Sequence, residues 1–131
     1  ASMADVASLR FSVDYTAALK PETETVGGKP CRVLELKAKS PTAPYPRVLL
    51  WWNEADKLPA KVLFHLPSGK AAKEITFTKF STKAGRTIVS EMEIRDLLAK
   101  DPRVVTRLEY LDYRPGKLDD ALFTPEGAKG L

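Results

Sequence analysis

The chain has 131 residues, 44% hydrophobic and 29% charged, enough for one globular domain with a core of its own or for a piece of a larger one. No run of about 18 apolar residues occurs, which excludes a membrane-crossing helix. The 21 Lys and Arg outnumber the 17 Asp and Glu, for a formal charge of +4, but they are scattered rather than gathered into a tract, which argues against a nucleic-acid partner.

Ala1-Ser2-Met3 lacks the apolar h-region of a secretory signal and reads as a cloning remnant. Residues 4–11 carry the pattern for a short helix. From residue 31 onward the period changes. Segments 31–38, 47–52, 60–66, 73–80, 87–94 and 104–113 are of strand length, rich in β-branched, aromatic or leucine residues, and mostly alternating. Turn-forming stretches separate them: Ser40-Pro41-Thr42-Ala43-Pro44, residues 53–59, Pro67-Ser68-Gly69-Lys70, and residues 81–85. Connections this short favour antiparallel neighbours, because a parallel crossover needs about a dozen residues. A last helical turn fits residues 118–123. The predicted class is mainly β, a curved antiparallel sheet of about six or seven strands with one or two short helices.

Turn chemistry assigns the faces. A hairpin tip at Ser68-Gly69 sets Leu66 opposite Ala71 and Val62 opposite Ile75. A loop at residues 53–57 sets Trp52 opposite Leu58 and Val48 opposite Val62. A loop at residues 82–85 sets Ile75 opposite Met92 and Lys79 opposite Ile88. Val48, Leu50, Trp52, Val62, Phe64, Leu66, Ile75, Phe77, Ile88, Met92 and Ile94 then share one apolar face. Lys61, His65, Glu74, Thr76, Thr78, Glu91 and Glu93 dominate the other, interrupted by Leu49, Trp51, Leu63 and Val89. The run Val48-Leu49-Leu50-Trp51-Trp52 breaks alternation and predicts a strand covered on both sides. So wide an apolar face, with so little helix to cover it, leaves three outcomes: the sheet curls on itself, dimerises, or presents a concave apolar surface to a ligand.

The residues that could carry chemistry are isolated. Cys31 is the single cysteine and His65 the single histidine. Neither has a partner at catalytic or metal-ligand spacing, so Cys31 reads as a small semi-buried side chain and His65 as an outward-pointing one. Glu91 and Glu93 share a strand face, and Asp119-Asp120 opens the last helical turn, but neither pair has the oxygen-rich wrapping loop that Ca²⁺ requires. Gly27-Gly28 and Gly69 are turn glycines without the strand-to-helix context of a phosphate loop. No catalytic residue, metal or cofactor is expected.

Several stretches, taken in order, resemble a known family. They are Asp14-Tyr15; Gly28-Lys29-Pro30-Cys31-Arg32-Val33-Leu34-Glu35-Leu36-Lys37-Ala38-Lys39; Tyr45-Pro46-Arg47-Val48-Leu49-Leu50-Trp51; the strand from Pro59 to Leu66 with Ser68-Gly69-Lys70; Thr106-Arg107-Leu108-Glu109; and Leu118-Asp119-Asp120-Ala121-Leu122-Phe123-Thr124-Pro125. Together they resemble the C-terminal half of outer-membrane lipoprotein-sorting proteins of the LolA-like superfamily. The resemblance implies the C-terminal part of a longer secreted precursor from a Gram-negative envelope. It also implies a non-enzymatic periplasmic carrier whose half-barrel shields lipid or lipoprotein acyl chains on its concave face. The site would be the apolar face just described, with an envelope transporter or outer-membrane protein as a further partner. The alternative is a protein-interaction module of the envelope that binds a partner by strand addition at a sheet edge or docks on a transporter. Self-association through the apolar face or a free edge is a third property to test.

Overall fold

The computed structural model describes residues 14–113. Within them seven strands follow one another: β1 (Tyr15–Val26), β2 (Lys29–Ala38), β3 (Arg47–Asn53), β4 (Leu58–His65), β5 (Ala71–Lys83), β6 (Arg86–Asp96) and β7 (Val105–Tyr113). Their order in the sheet is their order in the chain, and every neighbouring pair is antiparallel. The sheet is an open meander with β1 and β7 at its edges. Helix is not part of it, and the short helices expected at residues 4–11 and 118–123 lie outside the described residues.

This is the mainly β class that the sequence predicts, with β1 added to the ladder that begins at residue 31. Lys20, Pro21 and Glu22 interrupt the alternation of β1. A proline has no N–H to give to a ladder and is tolerated in a strand at an edge or a bulge. Both conditions hold here, because β1 is an edge strand and its register shifts between Leu19 and Thr23.

Tight turns set the hairpins. Gly27 and Gly28, with φ of 57° and 78°, close the β1–β2 hairpin between the paired Val26 and Lys29, the left-handed geometry that a two-residue primed turn demands. Ala84 and Gly85 do the same between Lys83 and Arg86, with φ of 51° and 75°. At the β4–β5 turn the Leu66 N–H donates to the Lys70 carbonyl at 2.9 Å, and the Gly69 N–H to the Leu66 carbonyl at 2.8 Å.

Of the two pairings expected from the Ser68-Gly69 turn, Val62 does face Ile75, but Ala71 lies opposite His65 rather than Leu66, because the register shifts between Phe64 and His65. The other two hairpins pair differently from expectation: Val62 lies opposite Leu50, not Val48, and Ile75 opposite Ile94, not Met92. Both shifts are even, so the faces survive. One large core cluster therefore gathers Leu34, Leu36, Val48, Leu50, Trp52, Val62, Phe64, Ile75, Phe77, Met92 and Ile94, together with Tyr15 and Val89. Cys31, Val33 and Trp51 form a smaller cluster on the opposite face, with Leu49 and Leu63 packed against it. β3 is thus covered on both sides, as its unbroken apolar run predicts.

Bulges account for the residues that are placed otherwise. Ile88 faces Ser81 rather than Lys79 and is absent from the large cluster, while Val89 is in it. Against β5, Lys79 pairs with Glu91 but the next residue, Phe80, pairs with Val89, so Ser90 is an extra residue in β6 and inverts the alternation upstream of it. Leu66 is half-buried, beyond the end of β4 and outside the cluster, because the bulge between Phe64 and His65 sets His65 in its place opposite Ala71. His65 does not point to solvent. It is 6% exposed.

Candidate functional site

The apolar face is continuous from β2 to β6, because each strand contributes residues at a spacing of two and the ladders bring them into register. Its central side chains are deeply buried, with Val48, Ile75 and Met92 at 0% exposure. At the end carrying the β2–β3 and β4–β5 connections, the ring of Tyr45 packs at 5.1 Å from that of Phe64. The Tyr15 hydroxyl donates to the Tyr45 carbonyl at 2.7 Å, and Lys73 Nζ lies 5.2 Å from the Tyr45 ring centre. Burial pushes the Tyr15 hydroxyl pKa up, so it stays a donor.

The opposite end is different, because there the sheet splits. The β4–β5 ladder stops at Lys61 opposite Thr76, although β4 continues to Leu58 on β3 and β5 continues to Lys83 on β6. Pro59 has no N–H to give to a ladder, and the register of β5 against β6 shifts just after Phe77, where pairing with β4 has ended. The space between the strands is a cleft of about 530 Å³. Leu58, Pro59 and Ala60 form its β4 wall and Thr76, Phe77, Thr78 and Phe80 its β5 wall, with Val26, Gly27 and Lys29 from the first hairpin, Asn53 at the end of β3 and Asp56 from the β3–β4 loop completing the lining. The rim is polar. Asn53 Nδ2 donates to Asp56 Oδ2 at 2.9 Å, the Asp56 N–H donates back to Asn53 Oδ1 at 3.2 Å, and Lys29 Nζ sits 3.2 Å from Asp56 Oδ2. Phe77 belongs to the large cluster and Phe80 packs against it, whereas Val26 and Ala60 pack on the small one, so the cleft touches both faces of the sheet.

The structure brings Val48, Leu50, Trp52, Val62, Phe64, Ile75, Phe77 and Met92 of the predicted ligand-binding set together, and leaves Leu66 and Ile88 out. Val89, Phe80 and Leu34 join them. Leu34 was visible as an alternating residue of β2; Val89 and Phe80 depend on bulges that no periodicity reveals. The cleft itself had one sequence signal, Pro59 at the start of a strand.

The reactive residue types are occupied structurally. Cys31 is 1% exposed, its Sγ lies 3.6 Å from the Lys29 carbonyl, and burial pushes its thiol pKa up, away from the thiolate a nucleophile needs. His65 Nδ1 lies 3.3 Å from the Arg47 carbonyl, which can only accept, so that nitrogen carries the hydrogen; Nε2 is 3.5 Å from Arg47 Nη1. Arg47 Nε in turn donates to Glu35 at 2.7 Å, and this bond holds the Glu35 pKa down. Glu91 and Glu93 do share a face, and Arg107 reaches both, at 3.8 and 3.1 Å. A hydrogen bond from Thr78, at 2.9 Å, is the main reason the Glu91 pKa is lowered. Among the described residues, no three His, Cys, Asp or Glu side chains converge as a metal-ligand set.

This architecture, an open bulged meander with one broad apolar face, is the fold of the LolA superfamily. A LolA superfamily protein from Nitrosomonas europaea matches 79% of the chain at 29% identity with a TM-score of 0.67, and 46% of that protein is covered. A DUF1329 family protein from Desulfovibrio piger matches 88% of the chain at 20% identity with a TM-score of 0.65, covering 47% of it. A Vibrio parahaemolyticus protein described as an outer membrane lipoprotein-sorting protein domain matches 81% at 19% identity with a TM-score of 0.61, covering 48% of it. The last two share the fold, and the chain spans about half the length of all three. No curated protein matches. The chain belongs to a family described as "Uncharacterized protein", whose model matches residues 1–127.

Proposed function

We propose that the protein is a non-enzymatic carrier of the Gram-negative periplasm that shields acyl chains of a lipid or lipoprotein on the large apolar face. The observation that carries this reading is the face itself: apolar residues from five consecutive strands, β2 to β6, form one surface in a fold shared with a LolA superfamily protein. Binding there would proceed by transfer of acyl surface out of water, at about 0.8 kcal/mol per buried CH₂, with ordering costs set against it. Such transfer is non-directional, which suits a surface without a motif. Because the central residues are buried in the chain itself, a ligand must enter between elements rather than settle on an exposed trough.

The test is a titration of delipidated full-length chain with a diacylated lipopeptide and with the same peptide lacking its acyl chains. The carrier reading expects saturable binding of the first and none of the second. Equal binding of both peptides would favour an interaction module, and binding of neither would remove the carrier reading.

A further inference from the structure

We propose that the split between β4 and β5 is the portal through which an acyl chain reaches the large apolar face, the head of the amphiphile remaining at the polar rim. The inference rests on the carrier reading and adds the route and the kind of ligand, a single-chain amphiphile. Three observations support it. The cleft is mainly apolar, lined by Leu58, Pro59, Ala60, Phe77 and Phe80, with the exposed Lys29–Asp56 pair among its polar lining. Its volume, about 530 Å³, falls within the range of about 300–1,000 Å³ typical of small-ligand sites. It also adjoins the core, since Phe77 is a member of the large cluster and Phe80 packs against it. The split coincides with Pro59 and with the register shifts on β5, and opening it breaks no ladder hydrogen bond between β4 and β5.

Trp52 pairs with Pro59 in the β3–β4 ladder and so stands next to the β4 wall. This makes it the reporter. In a Trp51→Phe background, dibromostearate, whose bromines quench only at short range, should quench Trp52 emission on binding. Ala60→Phe, which fills the cleft from the β4 wall, should slow association measured by stopped flow at least tenfold. Thr76→Phe, which fills it from the β5 wall, should do the same and serves if Ala60→Phe does not fold, as judged by circular dichroism. Unchanged association in a folded cleft-filling variant, with wild-type binding intact, would overturn the portal and leave the carrier reading standing. Absence of dibromostearate binding to the parent protein would overturn the portal too, and if the lipopeptide also fails to bind, the carrier reading falls with it.

Discussion

At the scale of single residues, the adjacent tryptophans show how burial and hydrogen bonding separate in energy. Both are buried, on opposite faces, but the indole N–H of Trp51 has no acceptor, while Lys61 Nζ lies 4.2 Å from its ring centre. An unsatisfied buried donor costs about 1–3 kcal/mol, and phenylalanine removes it together with some packing. Trp51→Phe is therefore expected to destabilise by at least about 1 kcal/mol less than Trp52→Phe, measured by urea denaturation of the two single-Trp proteins. Glu35 supplies a second test. Its pKa is held down by the Arg47 hydrogen bond, so between the native and unfolded values the unfolded chain binds more protons. Its contribution is fully present above the ordinary carboxylate range and is lost as pH falls through the lowered native value. Glu35→Gln should lower stability at neutral pH and flatten the acid limb of the stability curve; a variant whose loss is as large in acid as at neutrality would contradict this.

At the scale of elements, hairpin chemistry and bulges decide register. Ala84 occupies a left-handed position that costs an L-residue about 1–2 kcal/mol, a cost glycine avoids and asparagine reduces. Ala84→Asn should raise the stability by about 1 kcal/mol, and Gly85→Ala should lower it by a similar amount, both read from denaturation midpoints. The same local chemistry explains what could be read from the sequence. The Val62–Ile75 pairing was legible because the Ser68-Gly69 turn lies within a few residues of it, whereas the bulge between Phe64 and His65 that sets Ala71 opposite His65 was not. The exchange of Val89 for Ile88 was not, since it depends on how β6 pairs with β5 across an irregularity. His65 was read as exposed from strict alternation, and a bulge at the end of β4 together with Arg47 encloses it instead. β1 was hidden by Pro21, whose meaning reverses once the strand is known to be an edge. The cleft is a space between two strands that cease to pair, and its walls come from four separate segments, so Pro59 is its one local signal.

At the scale of the whole molecule, the connectivity has a consequence for how the chain finds its fold. Every ladder joins strands that are neighbours in sequence, with no crossover anywhere from β1 to β7. Loop closure is therefore short at each step, and the entropy lost before a new pair forms its contacts is small for a β protein. Such a meander can assemble like a zipper from any hairpin that forms first, and the hairpin closed by Leu66 and Lys70 joins two of the strands that bury the core. Refolding should be faster than in a Greek-key sandwich of equal length, where distant strands must meet before any sheet exists; a rate at or below that of such a sandwich in stopped-flow refolding would contradict this. In the native state the same linearity should grade amide exchange outward, slowest in β3 and β4 and fastest in β1, so that the sheet peels from its proline-bearing margin while its centre stays closed.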